Sequence, residues 1–386
     1  AASGTEHKPR DRRHGATLGV GDPVHAAFSH RAREDARMRP MKAVVARAPL
    51  RLALGGGGTD LPAYFSRHEG FAVSAAIARY VYVTAAPSID GRFRLKHLAY
   101  EEVVSARSVR HPLLRALLDL HWDGQPLELA SVAEVPPGTG LGSSGAFTVC
   151  TLRALDALKD TGSDPRPDKR ERLAEAACHI EIEVVGRSVG KHDQYAAAFG
   201  GVRAYSFKRD GSVEARSLDL HPRSAAALAN DTALFFIGGR RSASRLLSNV
   251  ARGVRRGDRG ALDILHRSRQ LAEDVADALE RGDVDRWAWA LDAQWDLKRR
   301  RAPGAVPPRA DELRAIARRA GAAAVALMGA GGGGFLLCFA PGAREAVSAA
   351  MRAARVQELT FELDHDGCRT LASRVEPTAE RADTRR

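Results

Sequence analysis

A glycine- and serine-rich loop in the middle of the chain is the segment best suited to hold phosphate groups. It reads PPGTGLGSSGA over residues 136–146 and lies between a predicted strand and a predicted helix. The glycines let a ligand approach the backbone closely. Ser143 and Ser144 lie at the start of the predicted helix, where free N–H groups and the positive end of the helix dipole favour an anion. The loop is therefore predicted to cradle phosphate, and its serines can offer hydroxyls to Mg²⁺.

Two other interpretations of this loop stay open. A strand-to-helix turn with serine N-caps needs no ligand. The glycines at 140, 142 and 145 also spell the dinucleotide pattern G-x-G-x-x-G. That fold needs a second parallel strand ending in an acid about 20 residues on, whereas the helix here leads into a Pro- and Lys-rich linker and a second helix. A Walker A loop is excluded, because no Lys follows a glycine at the required spacing.

Acidic side chains suited to act on a reacting hydroxyl lie in residues 181–195. Glu181 and Glu183 flank the apolar stripe of a predicted helix, so only one can face a given site, and a solvated pair is the plain alternative. Asp193 follows two glycines and stands two residues after Lys191. It is a candidate to orient a hydroxyl and accept its proton, with the neighbouring cation keeping it ionised. A cap or turn residue is the plain alternative.

Two further glycine clusters follow predicted strands. In APLRLALGGGGTDLP (48–62) the strand delivers Arg51 and breaks into a turn ending in Thr59 and Asp60. The carboxylate suits paired sugar hydroxyls, and a helix N-cap is the alternative. The run 328–335, MGAGGGGF, links two apolar strands. Ordering four consecutive glycines costs conformational entropy, which favours a position where the backbone packs closely against other residues or a ligand. A plain hairpin turn stays open as the alternative.

The elements around these segments predict an α+β protein with a split sheet. Strands are predicted over 42–53, 71–86, 127–135, 233–237, 323–328, 335–339 and around 358–363. Helices are predicted over 144–158, 169–185 and 260–300, with a hairpin at Asp210-Gly211. Residues 1–40 are predicted to be a disordered basic extension and residues 377–386 a disordered tail.

Composition narrows the class of protein. A chain of 386 residues with 44% hydrophobic residues can bury two cores. The net charge of +12 comes mostly from Arg scattered among acids, and aromatics are only 6%, which argues against nucleic-acid binding. No apolar run approaches the roughly 18 residues of a membrane span and no secretory signal is seen, so a cytoplasmic protein without membrane contact is expected. The four scattered cysteines predict reduced thiols.

Together these segments resemble the GHMP kinases, the superfamily of galactokinase, homoserine kinase, mevalonate kinase and phosphomevalonate kinase. The A-P-x-R opening, the P-x-G-x-G-L-G-S-S loop and the late glycine-rich link match in order from about Val44 to Leu371. The resemblance implies a two-domain fold. Residues 41–205 would form an N-terminal ATP-binding domain like ribosomal protein S5, and residues 206–376 a C-terminal split βαβ, ferredoxin-like domain.

The resemblance also implies roles for individual residues. Arg51 and Asp193 would be catalytic, and the ATP phosphates would be surrounded by Pro137, Gly138, Thr139, Gly140, Leu141, Gly142, Ser143 and Ser144. Mg²⁺ would be held by Ser143 or Ser144 and by Glu181, chosen over Glu183 for its offset from Asp193 in galactokinases. The sugar would meet Thr59 and Asp60, with Gly332 and Gly333 near it.

Within the superfamily the chain resembles the D-glycero-D-manno-heptose 7-phosphate kinases, on GGGTDLP (56–62), GKHDQYAAAFGG (190–201), RSAS (241–244) and GAGGGGF (329–335). This implies ATP-dependent phosphorylation of the anomeric hydroxyl of the heptose 7-phosphate, with Lys191, Arg240 and Arg241 as clamps for the substrate's phosphate. Another sugar kinase, for fucose or another hexose, and a non-catalytic sensor are the alternatives, and a homodimer stays open. Gly145 departs from the usual Ser or Ala of the family.

Overall fold

The computed structural model describes residues 43–159, 167–239 and 243–374. The predicted disordered ends and the predicted clamp residues Arg240 and Arg241 lie outside these ranges. Within them, every helix is too short or too polar to cross a bilayer.

Twelve strands and eleven α-helices are assigned in the described part of the chain. The strands are β1 (Ala43–Gly55), β2 (Gly70–Pro87), β3 (Phe93–Lys96), β4 (Tyr100–Val103), β5 (Leu127–Ala133), β6 (Val202–Phe207), β7 (Val213–Ser217), β8 (Thr232–Gly238), β9 (Ala324–Leu327), β10 (Gly334–Phe339), β11 (Gln357–Glu358) and β12 (Arg369–Arg374). The helices are α1 (Pro62–His68), α2 (Pro112–His121), α3 (Ser143–Leu158), α4 (Pro167–His179), α5 (His192–Phe199), α6 (Pro222–Asn230), α7 (Ala243–Arg255), α8 (Arg259–Arg281), α9 (Val284–Arg301), α10 (Pro308–Arg319) and α11 (Arg344–Ala353).

The first sheet has eight strands, and its strand β1 carries the candidate site residue Arg51. Its order is β12-β1-β2-β5-β3-β4, and β6 pairs with both β2 and β7. Alternate residues of β1, among them Leu50, Leu52 and Leu54, are fully buried. This period-2 pattern holds the strand in register, and helices α3 and α8 both pack against β1 and β2.

The second sheet has the order β11-β8-β10-β9, with all pairs antiparallel. Numbered along the chain these are strands 4-1-3-2, so β10 lies between β8 and β9, which is the split βαβ arrangement predicted from the sequence. The expected α+β fold is confirmed.

Three local predictions need correction. The strand expected around 358–363 is only Gln357–Glu358, because the chain then leaves the second sheet for the first, where the Asp364 N–H donates to the Ala76 carbonyl at 2.9 Å. The helix expected to reach residue 185 is α-helical only to His179, and the next residues, Ile180–Val184, form a π-helical turn. Asp193, which lay outside every predicted helix and strand, is in the first turn of α5.

The predicted boundary between domains at residues 205 and 206 falls inside β6. Because β6 is hydrogen-bonded to β2 on one side and to β7 on the other, it belongs to the first sheet along its whole length. The division into two domains stays a prediction.

Candidate active site

The glycine-rich loop forms one wall of a cavity of about 610 Å³. Gly138, Gly140 and Gly142 have φ of 76°, 90° and 78°, a region that favours glycine, and Gly142 is the N-cap of α3. Six of the eight predicted nucleotide-binding residues line the cavity: Pro137, Gly138, Gly140, Gly142, Ser143 and Ser144. The other two, Thr139 and Leu141, are fully buried beneath the loop.

The late glycine cluster packs directly behind this loop. A side chain at Gly334 would place its Cβ 2.1 Å from the Thr139 oxygen, and one at Gly140 would place it 2.6 Å from the Met328 oxygen. Four consecutive glycines are thus explained in part by close backbone packing. Gly332 and Gly333, predicted to lie near the sugar, are not among the residues that line the cavity, whereas Gly329, Ala330 and Gly331 are. The Gly332 N–H donates to the Ala305 carbonyl at 2.6 Å, and a Cβ at Gly333 would lie 2.6 Å from the Gly238 carbonyl oxygen.

Arg51 connects the predicted catalytic carboxylate to the glycine-rich loop. Its Nε and Nη2 donate to the same Asp193 Oδ1 at 3.0 and 2.6 Å, and its Nη1 donates to the Gly140 carbonyl at 2.6 Å. The Arg51 side chain is 7% exposed, whereas that of Asp193 is 34% exposed and lines the cavity. Arg51 is therefore fixed in place, and Asp193 keeps an accessible face for a ligand.

Gly145 allows the N-terminal ends of α3 and α5 to pack against each other. A Cβ at position 145 would lie 2.8 Å from the Asp193 Cβ and 3.0 Å from the Gln194 nitrogen. The absence of a side chain lets α3 and α5 touch, so the departure from the family's Ser or Ala fits the local packing of this chain.

The ionisation of Asp193 depends on Arg51. Burial raises the pKa of Asp193, but the charge and hydrogen bonds of Arg51, together with smaller effects of His192 and Arg187, lower it to below its usual value. The sequence had assigned this supporting role to Lys191. Its Nζ instead binds the Glu175 carboxylate at 2.8 and 2.9 Å and the Gly211 carbonyl at 2.6 Å, away from the cavity. Lys191 therefore does not supply the predicted phosphate clamp.

Asp60 and Thr59 differ in what they present to the cavity. Asp60 lines it and accepts hydrogen bonds from the Gly58 N–H at 3.1 Å and the His192 N–H at 3.4 Å. Burial, with the nearby negative charge of Asp193, raises the pKa of Asp60. Thr59 is fully buried, and its hydroxyl lies 2.8 Å from the carbonyl oxygens of Gly56 and Phe71. It fixes the turn and does not reach a ligand, contrary to the prediction.

The π-helical turn separates the two glutamates that the sequence could not distinguish. Glu181 is 1% exposed and accepts hydrogen bonds from Ser144 Oγ and Thr148 Oγ1 at 2.9 Å, and from Gln194 Nε2 at 3.0 Å. Glu183 is 68% exposed and lies 2.9 Å from His179. Glu181 is thus the member of the pair beside the glycine-rich loop.

Three groups that sequence reasoning missed also line the cavity. Arg187 donates to Glu181 Oε2 and Ser144 Oγ, both at 2.5 Å. His97 and His111 also line the cavity, and buried Glu101 accepts a hydrogen bond from the His111 backbone N–H at 3.0 Å and lies 3.2 Å from His97 Nε2. Arg301 approaches from α9. Arg187 lies within residues 181–195, the segment already singled out in the sequence, whereas His97, His111 and Arg301 lie outside every recognised motif.

Comparisons with known proteins agree with this architecture. The GHMP kinases N terminal domain matches residues 108–201 and the GHMP kinases C terminal domain matches residues 275–357. The D-glycero-alpha-D-manno-heptose 7-phosphate kinase of Campylobacter jejuni is 27% identical over 78% of this chain and 90% of its own length. The mevalonate kinase of Methanothermobacter thermautotrophicus is 26% identical over 72% of this chain and 86% of its own length.

Solved structures give the same result for the fold. A D-glycero-D-manno-heptose 1-phosphate kinase from Bacteroides thetaiotaomicron superposes with a TM-score of 0.68 and 24% identity, over 85% of this chain and 99% of its own. The chain thus carries the N-terminal and C-terminal domains of the GHMP kinases, a family of ATP-dependent phosphotransferases. Its relatives in that family include sugar kinases and mevalonate kinases.

Proposed function

We propose that this kinase transfers the γ-phosphoryl group of ATP to the anomeric hydroxyl of D-glycero-D-manno-heptose 7-phosphate, giving the 1,7-bisphosphate. The observation that carries the proposal is the connection from Asp193 through Arg51 to the Gly140 carbonyl, with Asp193 accessible in the same cavity as Asp60. The heptose is suggested by the motifs of residues 56–62 and 190–201, and by the similarity to the Campylobacter heptose 7-phosphate kinase.

In the proposed reaction the bond between the γ-phosphorus and its bridging oxygen breaks while a bond forms to the sugar oxygen. Asp193, kept ionised by Arg51, accepts a hydrogen bond from that hydroxyl, orients it and takes its proton as transfer proceeds. Arg51 also offers positive charge beside the transferring group. Asp60, half-buried and with a raised pKa, hydrogen-bonds other sugar hydroxyls and fixes the sugar's position.

Mg²⁺ is the proposed second cofactor, and the oxygens near the loop fit it. Glu181 Oε2 and Ser144 Oγ lie 2.9 Å apart and already share one cationic group, since Arg187 Nη1 is 2.5 Å from both. One carboxylate, a hydroxyl and phosphate oxygens form a set that Mg²⁺ commonly takes. When bound, the ion would neutralise charge on the ATP phosphates. Ser144 and Glu181 are the side chains we propose to hold it.

The two glutamates of the π-helical turn provide a matched test of this assignment. Glu181→Gln removes the buried carboxylate, and we expect the Mg²⁺ concentration for half-maximal activity to rise by at least about tenfold. Glu183→Gln removes an equal charge two residues away in solvent and should leave that concentration within about twofold, since exposed charges contribute little. Equal Mg²⁺ dependence in the two variants would remove Glu181 from the metal site.

The substrate is tested by measuring ADP release with heptose 7-phosphate, the same heptose without phosphate, fucose and galactose. We expect kcat/KM for heptose 7-phosphate to exceed each of the others by about 100-fold or more, because a phosphate bound by a cation contributes several kcal/mol. A kinase for fucose or another hexose is the second candidate, since it would share the ATP-binding loop and differ only in the sugar pocket. Preferred turnover of an unphosphorylated hexose would favour that candidate and contradict the heptose assignment.

A further inference from the structure

Two basic side chains at the end of α9 lie beside the candidate site without an acidic partner. Arg301 Nη1 donates to the Gly57 carbonyl, and Lys298 Nζ donates to the carbonyls of Leu327 and Gly329, the latter at 2.8 Å. Neither forms an ion pair with any residue in the described ranges, although Arg299 between them pairs with Asp311. Both are shielded from solvent in part.

The electrostatic situation of this pair is unfavourable in the absence of an anion. Burial lowers the pKa of Lys298 well below its usual value, and the charges of Arg301 and Arg51 lower it further. Burial also lowers the pKa of Arg301, and the charge of Asp60 opposes that shift. A partly buried cation that is not neutralised is costly, so a bound anion would stabilise this corner of the cavity.

The position of Arg301 in the cavity indicates which anion would bind there. The side chain lines the main cavity next to Gly57, Gly58 and Asp60, where the sugar is proposed to bind. A Cβ added to Gly58 would lie 3.2 Å from Arg301 Nη1, so the guanidinium rests on that turn. The ATP phosphates are assigned to a different wall, formed by residues 138–144. Apart from the bond to Gly57, the guanidinium has no acceptor in the described part of the chain, which leaves its other N–H groups for a ligand.

We infer that Arg301, supported by Lys298 behind it, binds the phosphate group that the sugar substrate itself carries. This inference rests on the proposed function, because it requires a phosphorylated sugar. A guanidinium matches phosphate oxygens with two parallel hydrogen bonds and stays charged where an ammonium would lose its proton. Arg301 would then bind the substrate's phosphate, the role predicted for Lys191, although it lies more than 100 positions later in the chain.

A charge-removal pair on α9 tests the inference. For Arg301→Gln, the ratio of kcat/KM with heptose 7-phosphate to kcat/KM with unphosphorylated heptose should fall by about 30- to 100-fold, and Arg301→Lys should give an intermediate loss. The control Arg300→Gln removes an exposed arginine one position earlier and should keep the wild-type ratio. An unchanged ratio in Arg301→Gln, or a selective rise in the KM for ATP, would overturn the assignment.

A second measurement does not depend on the identity of the sugar. With the nucleotide site saturated by a non-hydrolysable ATP analogue, millimolar inorganic phosphate should raise the Tm of the wild-type protein and of Arg300→Gln, but not of Arg301→Gln. If heptose 7-phosphate is not turned over but this shift depends on Arg301, the phosphate site stands and the heptose assignment fails. If Arg301→Gln shifts as wild type does, Arg301 is not the phosphate ligand.

Discussion

Replacing Asp193 with alanine is expected to lower kcat by about 10²- to 10⁴-fold, the range for loss of a positioned general base. The side chain is accessible in the cavity, and its ionised form is stabilised by Arg51, so its removal takes away both orientation and proton acceptance. The Kd for ATP should change by less than about threefold, because no hydrogen bond joins Asp193 to the backbone of the phosphate loop in the described structure. Steady-state kinetics and nucleotide binding measure the two effects separately.

Two further variants separate the charge of Asp193 from its structural role. Asp193→Asn keeps an oxygen that can accept from Arg51 but loses the charge, so its kcat should be nearly as low as that of the alanine variant while its Tm stays nearer to wild type. Asp285→Asn removes an exposed carboxylate at the start of α9 and should have wild-type kinetics. Wild-type kcat in Asp193→Asn would exclude a carboxylate mechanism at this position.

Replacing Arg51 with methionine is expected to lower kcat by about 10²- to 10³-fold, and to change its pH dependence as well. An arginine placed on a transferring phosphoryl group commonly contributes an effect of this order or larger. Arg51 also keeps the pKa of Asp193 below its ordinary value. Wild-type activity should therefore persist as the pH falls through the usual carboxylate range, since the active form is the ionised one.

In Arg51→Met the pKa of Asp193 should rise, because burial then acts without the compensating guanidinium. The acidic limb of the kcat profile should move towards neutral pH by at least about one unit, corresponding to loss of roughly 1.4 kcal/mol of preference for the ionised form. Arg47→Met is the matched control: it lies on the same strand and pairs with Asp364 and Asp366. Superimposable acidic limbs in wild type and Arg51→Met would show that another group sets the ionisation of Asp193.

Much of the fold followed from local patterns in the sequence. The alternation in 42–53 and 127–135 predicted β1 and β5, and the hairpin at Asp210-Gly211 joins β6 to β7. The glycine loop before a serine-started helix predicted the start of α3 to within one residue, since the helix was expected from Ser144 and begins at Ser143. These elements depend on side-chain period and on the backbone freedom of glycine, which neighbouring residues determine largely by themselves.

Other features depended on contacts that no local pattern encodes. Helical spacing placed Glu181 and Glu183 on either side of one stripe, and only the π-helical turn buries the first beside Ser144 and exposes the second. Lys191 stands two positions from Asp193, yet the cation on Asp193 is Arg51, 142 residues away in the chain.

The sequence alone therefore determined the kind of chemistry and most of the elements that carry it. The tertiary structure decided which charge pairs with which, and it revealed Arg301 as a cation without an acidic partner in the described residues. The reason is physical: an ion pair forms between side chains that packing brings within a few ångströms, and its strength follows that distance and the local burial. Separation along the chain specifies neither quantity.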